Sequence, residues 1–482
     1  MNTNQPESSG YAVRPLHLAM LLCAALCANF IVVHGHNRQR IVEIVLVLLA
    51  GALFLTRRTL LQSSLFTSAQ GKFLTGFFAL GLLSSVMAFK PQYALFEVAN
   101  FFLLYLLAMS LADEIAARGS MALRLVLQVV AAMIAFYALG FVLDYVGSLS
   151  LGLPLRPTDF SVGFSNIRFF NHVQTATLPL LILLCCLTPR TSKLGWLWFG
   201  LTIDWWMALF ATSGRGTVLG MAAAFVLAAI LLRRSAIPYL KQAAVTATLG
   251  VAAYFVLLVA LPMLAGQQGM SAFSDTAART AADPASNRLV LWQRAAELIA
   301  QSPLLGVGPM HFSHNAGDLH SGAHPHDWVL QIATEWGLPA LACLIAALVL
   351  ALRALLRARS RLTSDDVDNQ AIATGLTFGA IAILVDGLVS GLFVMPQSQL
   401  AIALYLGCAI GWYRIVMPRE EAAQASKASR LAGMVCVVAA LAGVASVWPE
   451  MVARLESQPL TAEQKALNTG THWPRLWETG YF

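Results

Sequence analysis

Apolar runs close to the length a helix needs to cross a bilayer, about 20 residues, recur along this chain from end to end. We read them at 17–34, 41–56, 73–89, 93–112, 122–145, 172–188, 194–211, 216–232, 244–264, 338–356, 371–394, 399–416 and 431–447, which makes twelve or thirteen spans because several are short. With 58% hydrophobic and only 11% charged residues, an ordinary soluble domain is excluded. The expected fold is an all-α polytopic membrane protein. The polar stretch before the first run lacks a small-residue cleavage site, so that run is expected to stay as an anchor. All seven cysteines fall inside the runs, where they act as small apolar residues and not as a disulfide framework.

The net charge of +7 matters less than its placement, since Lys and Arg near span ends report sidedness. With a cytoplasmic N-terminus, six alternate loops are basic, among them Arg57 with Arg58, Arg233 with Arg234, and Arg353 to Arg361. One outer loop dissents, "HGHNRQR", with Arg38 and Arg40. This register explains the charge without nucleic acid. It places residues 146–171, the turn at 212–215 and the stretch from 265 to about 330 outside, where functional polar groups are expected. The chain is then organised as spans 1–9 (1–264), an outer helical segment (265–337), spans 10–13 (338–448) and a tail (449–482). The acidic run "SDDVD", Ser364 to Asp368, lies on the inner side and reads as a solvated linker.

Within the outer segment, Leu289, Leu291, Trp292, Ala295, Leu298 and Ile299 recur at three and four, which predicts an amphipathic helix from Arg288 capped by Ser286 or Asn287. Arg288 in its first turn adds a cation where free N–H groups already favour an anion. A guanidinium snorkelling at the interface is the plain alternative. Arg215 sits between two glycines in a tight outer turn, either a fixed anion contact or an interfacial anchor. Arg168, just before span 6 with Asn171, His172 and Gln174, is a weaker candidate.

Five of the ten histidines, His311, His314, His320, His324 and His326, crowd into the outer segment. They include no cysteine and match no familiar zinc-ligand spacing, so no metal is expected. Pro325 and Asp327 suit a helix start, presenting His326 at its N-terminus as a general base, a hydrogen-bond donor or simply a cap. Asp327, Gln331 and Glu335 form a stripe beside it, and Gly337 with Pro339 ends this helix, which is expected to line a cavity.

"NRLVLWQRAAELIAQSPLLGVGPMHF" followed by "HPHDWVLQIATEWGLPAL" resembles the paired signature of the O-antigen ligase and polymerase superfamily. There an Arg-x-x-x-Trp helix runs into Pro-Leu-Leu-Gly-x-Gly, and a His-Asn-type pair opens a helix closing on Gly; this chain has Asp327 where Asn is more usual. The resemblance covers roughly Arg288 to Ala340. It implies a GT-C-like glycosyltransferase with a periplasmic active site in a Gram-negative inner membrane. The ligase moves a glycan from undecaprenyl pyrophosphate to a sugar hydroxyl of the lipid A core. Arg215 and Arg288, with Arg168, would hold the pyrophosphate and His326 would activate the hydroxyl, supported by Trp292, His324, Asp327 and Gln331, with no cofactor. The superfamily's polymerases and protein O-oligosaccharyltransferases differ in acceptor. A lipid-glycan flippase is a separate class, disfavoured because no inverted repeat is evident and because, apart from Glu97, Asp204 and Asp386, the charges lie outside the spans.

Overall fold

A computed structural model describes residues 15–31, 35–56, 68–282, 288–418, 427–455, 474–478, 480 and 482, and all regular structure among them is helical. Helices α1 (Pro15–Ile31), α2 (His36–Thr56), α3 (Ala69–Met87), α4 (Pro91–Arg118) and α5 (Ser120–Leu151) fall on the first five expected spans. Helices α6 (Ile167–Leu187), α7 (Lys193–Ala211), α8 (Arg215–Leu232) and α9 (Ile237–Ala253) fall on the next four. Helix α9 continues through a π-helical stretch, Tyr254–Ala260, into α10 (Leu261–Leu264). The outer segment forms α11 (Ala272–Ala282), α12 (Arg288–Gln301), α13 (Phe312–Asn315) and α14 (Trp328–Trp336). The chain then builds α15 (Leu338–Ser360), α16 (Val367–Asp386), α17 (Pro396–Val416), α18 (Lys427–Ala445) and α19 (Trp448–Leu455).

Nine helical runs among the described residues are long and apolar enough to cross a membrane, which makes this a multi-pass membrane protein. The difference from twelve or thirteen has local causes. Arg215–Leu264 counts as one run although it holds two expected spans joined by a 3-10 turn at Arg233–Ala236. The apolar part of α1 is only Leu18–Ala28, α2 carries Arg38, Arg40 and Glu43 in its first turns, and glycine and serine dilute α3. Leu139, Leu143, Val226 and Ile230 are exposed, as expected where lipid replaces water. Helix α6 is buried along nearly its whole length, which makes it the central element, against α16, α7 and α17.

The two ends of the bundle differ in chemistry. At one end Arg359 reaches Leu232 O and Ser235 Oγ, while Arg124 donates to Leu187 O at 2.6 Å and pairs with Asp368. This is the end expected to be cytoplasmic, and Asp366 of the acidic run merely caps α16. The start of α6, the α7–α8 turn and the end of α16 meet at the other end. The dissenting Arg40 is not an outer-loop charge: it is 3% exposed and its Nη1 is 2.5 Å from Glu43. A buried, paired arginine does not bear on a rule about loop charges.

Candidate functional site

A cleft at that second end is lined by Arg168, Asn171 and His172 from α6, by Thr212 to Thr217 from the α7–α8 turn and the start of α8, by Arg288 from α12, by Asp386 at the end of α16, and by Val389 and Ser390 after it. The three arginines singled out in the sequence, 120 positions apart at the extremes (288 − 168), thus share one cavity. Such convergence of guanidinium groups is chemistry for a phosphate or another multivalent anion.

The local sequence explains each placement. Asn166 caps α6 by accepting from Arg168 N–H, which sets Arg168 at a helix N-terminus. Ser213 has φ 56° and the chain reverses within three residues before α8 begins at Arg215. The glycines flanking Arg215 are required by packing: a Cβ at Gly214 would strike the Asn171 side chain, and one at Gly216 the Asp386 carboxylate. Arg215 Nη1 also donates to Thr280 Oγ1 of α11 at 3.1 Å. Helix α12 begins at Arg288, and its expected caps, Ser286 and Asn287, lie outside the described residues. Its buried face is Leu291, Ala295 and Leu298, with Leu289 turned outward, so the apolar stripe is narrower than the sequence suggested.

Behind the cleft a hydroxyl and amide network fixes Asp386. Thr175 Oγ1 donates to Asp386 Oδ2 at 2.5 Å, Thr217 reaches the same oxygen at 3.3 Å, and Asn171 Nδ2 donates to Thr212 and Gln174. Asp386 is fully buried, and the sequence had marked it only as an ionisable residue in an apolar span. That was the available signal, since such residues are expensive in a membrane and usually serve function. His172, 5% exposed, lines the cleft with a buried Nδ1 that has no hydrogen-bond partner among the described residues.

His326 stands close enough to the cleft arginines to feel them. Burial lowers its imidazole to about 3, and repulsion from Arg288 and then Arg168 and His172 adds to the shift. It is therefore neutral at physiological pH. Its φ of 55° is the left-handed region, and the His324 ring lies behind it with centroids 4.0 Å apart, His324 Nδ1 accepting the His326 N–H at 3.2 Å. Pro325 and His326 precede α14 and do not start it: Asp327 is the N-cap, accepting from Val329 N and Leu330 N at 2.8 and 3.0 Å. Trp292 Nε1 donates to Pro325 O at 3.0 Å, so the helix bearing Arg288 also holds the loop bearing His326.

One expectation is corrected. Gln331 and Glu335 do not line the cleft; they receive Arg475 from the C-terminal tail. The five clustered histidines serve different parts of the structure. His311 Nδ1 donates to Pro309 O while its Nε2 accepts from Lys90 N, His314 Nδ1 lies 2.7 Å from Phe482 O, and His324 and His326 pack on each other within electrostatic reach of Arg288. Among the described residues no three His, Cys, Asp or Glu side chains are grouped as metal ligands would be.

The fold and this cleft define a helical membrane protein with an arginine-lined cleft at one end of its bundle. A family model described as O-Antigen ligase matches residues 180–345, a range that includes Arg215, Arg288 and His326, and this match supports membership in the O-antigen ligase and polymerase superfamily. Comparison with curated proteins finds no match.

Proposed function

We propose that the protein is an O-antigen ligase, a metal-independent, inverting glycosyltransferase of GT-C type that works at the periplasmic face of the inner membrane. The observation that carries this reading is the shared cleft of Arg168, Arg215 and Arg288 beside the neutral His326. The donor is a glycan on undecaprenyl pyrophosphate and the acceptor a sugar hydroxyl of the lipid A core.

In the reaction the acceptor oxygen attacks the anomeric carbon as the bond from that carbon to the pyrophosphate oxygen breaks. Undecaprenyl pyrophosphate leaves with the bonding electron pair. The arginines offset the charge gathering on the leaving oxygen, an effect strengthened in a partly dehydrated cleft. His326 accepts the hydroxyl proton, a role typically worth about a hundred- to ten-thousand-fold. Its low basicity in the free protein suits this role, because bound pyrophosphate cancels the repulsion from Arg288 and Arg168 and makes the imidazole a better base only when donor is present. Asp386 and His172 line the same cleft and face the donor's sugar.

The test is transfer by purified protein from a defined lipid-linked glycan to lipid A-core in the presence of excess chelator. Product carrying the glycan on core supports the reading. Elongation of the lipid-linked glycan without transfer to core would make the protein a polymerase, and transfer to serine or threonine of a protein would make it an oligosaccharyltransferase. Donor consumption in detergent, where no gradient exists, argues against a flippase.

A further inference from the structure

Beyond the cleft, a concentration of buried charge lies where the tail enters the bundle. Arg475 is 2% exposed. Its Nη2 is 2.9 Å from both oxygens of Glu97 on α4 and 2.7 Å from Glu335 Oε2 on α14. With the Gln331 amide oriented so that its oxygen faces the guanidinium, Gln331 accepts from Nη1 at 3.0 Å. The Arg475 carbonyl accepts from Arg40 Nη2 at 3.1 Å, and His36 Nε2 lies 3.2 Å from Leu476 O. Trp477 Nε1 donates to Glu450 on α19, so this indole is packed in the protein rather than set at a lipid interface.

Burying charge is costly and adds little net stability over apolar packing, while breaking such a pair leaves a stranded charge. What this cluster supplies is register. Helix α14 has only nine residues, too few to be stable alone. One end carries Asp327 and, just before it, His326. The other stops at Gly337, whose φ is 89°. Gln331 and Glu335 are its two side chains that grip a charge, and both grip Arg475. Glu335 Oε1 also accepts from Phe312 N at 3.0 Å, so the same carboxylate ties the helix to the segment following the glycine-rich turn.

We propose that Arg475 is a positioning residue for the transfer reaction, and that the tail is a strap that sets the axial position of α14 and thereby the reach of His326 into the cleft. Arg475 touches no substrate. The proposal rests on the ligase reading for its catalytic consequence, but its structural claim stands apart: losing the guanidinium should loosen α14 and leave the pyrophosphate cradle intact, because that cradle is built on α6, α8 and α12.

The experiment compares the full-length protein in detergent with Arg475→Ala, Arg475→Lys and Glu97→Gln by backbone hydrogen exchange, by binding of undecaprenyl pyrophosphate and by transfer kinetics. Expected are faster exchange confined to residues 326–336 and the tail in Arg475→Ala, donor affinity within about twofold of the parent, and kcat lowered at least about tenfold, a loss equivalent to roughly 1.4 kcal/mol. Arg475→Lys should recover part of kcat. Unchanged exchange at 326–336, or unchanged kcat with normal donor binding, overturns the proposal. If Arg475→Ala does not fold, Glu97→Gln, which keeps the guanidinium on Glu335, must show a smaller shift of the same kind, and its absence overturns the proposal equally. Lack of transfer by the parent protein alongside the predicted exchange change would sink the ligase reading and leave the strap standing.

Discussion

The indole of Trp292 and the carbonyl of Pro325 are joined by a 3.0 Å hydrogen bond, four residues after Arg288 on one side and one residue before His326 on the other. This contact links the helix that begins at Arg288 to the loop that presents His326. Trp292→Phe keeps the ring and leaves the carbonyl without its donor, which costs about 1–3 kcal/mol if the carbonyl stays dry. In the proposed reaction kcat should fall by roughly tenfold while donor affinity holds. A selective loss of donor affinity would show that Trp292 serves Arg288 alone.

Asp327 acts through its cap. An asparagine oxygen can accept the same two N–H groups, so Asp327→Asn should keep activity within a few-fold, while Asp327→Ala should cost about 1 kcal/mol of helix stability and lower the thermal midpoint. Activity abolished by the Asn variant would mean that the negative charge itself is used.

Arg288→Lys retains charge and loses the planar fork. If the cleft grips a pyrophosphate, kcat should drop by about a hundredfold, in the range seen when one donor to a developing negative charge is removed. Arg168→Ala should mainly weaken donor binding, since Arg168 lies at a helix N-terminus that still offers N–H groups. Equal kinetics for the parent and Arg288→Lys would reduce Arg288 to a diffuse counter-charge.

The pH profile carries a signature. Burial, Arg288, Arg168 and His172 hold free His326 at about 3, so it stays deprotonated across roughly pH 5 to 8 and puts no acid limb on kcat/KM there. Bound pyrophosphate raises the imidazole, so the acid limb of kcat should lie at higher pH than that of kcat/KM. The same lowered value has a stability consequence: the contribution is complete above the unfolded value near 6.5 and is lost as pH falls toward 3. Coincident limbs near pH 6.5, or limbs unmoved in His326→Ala, would remove His326 from proton transfer.

Much of the helical plan was legible because lipid imposes one period and one length on every span, and each expected span falls on a helix. Arg168, Arg215 and Arg288 could be picked out because a guanidinium on the face that the charge pattern marks as the outer one needs a reason. Asp386 was visible only as an anomaly, since its partners Thr175 and Thr217 come from other helices and no spacing in the chain links them. Gln331 and Glu335 were legible as a stripe but not in direction. Their partner lies 140 residues from Glu335, in a tail whose composition gives no sign of docking. Arg40 stood out as a dissenter for the same reason: Glu43 is its neighbour one turn away, but the Gln399 that completes its burial comes from another helix.

The central claim is tested most directly by an experimental structure of the protein with undecaprenyl pyrophosphate bound. The account predicts pyrophosphate density in contact with the guanidinium groups of Arg168, Arg215 and Arg288, and His326 facing the vacant side of the terminal phosphate. Pyrophosphate held elsewhere, with those three side chains turned to water or lipid, would contradict it.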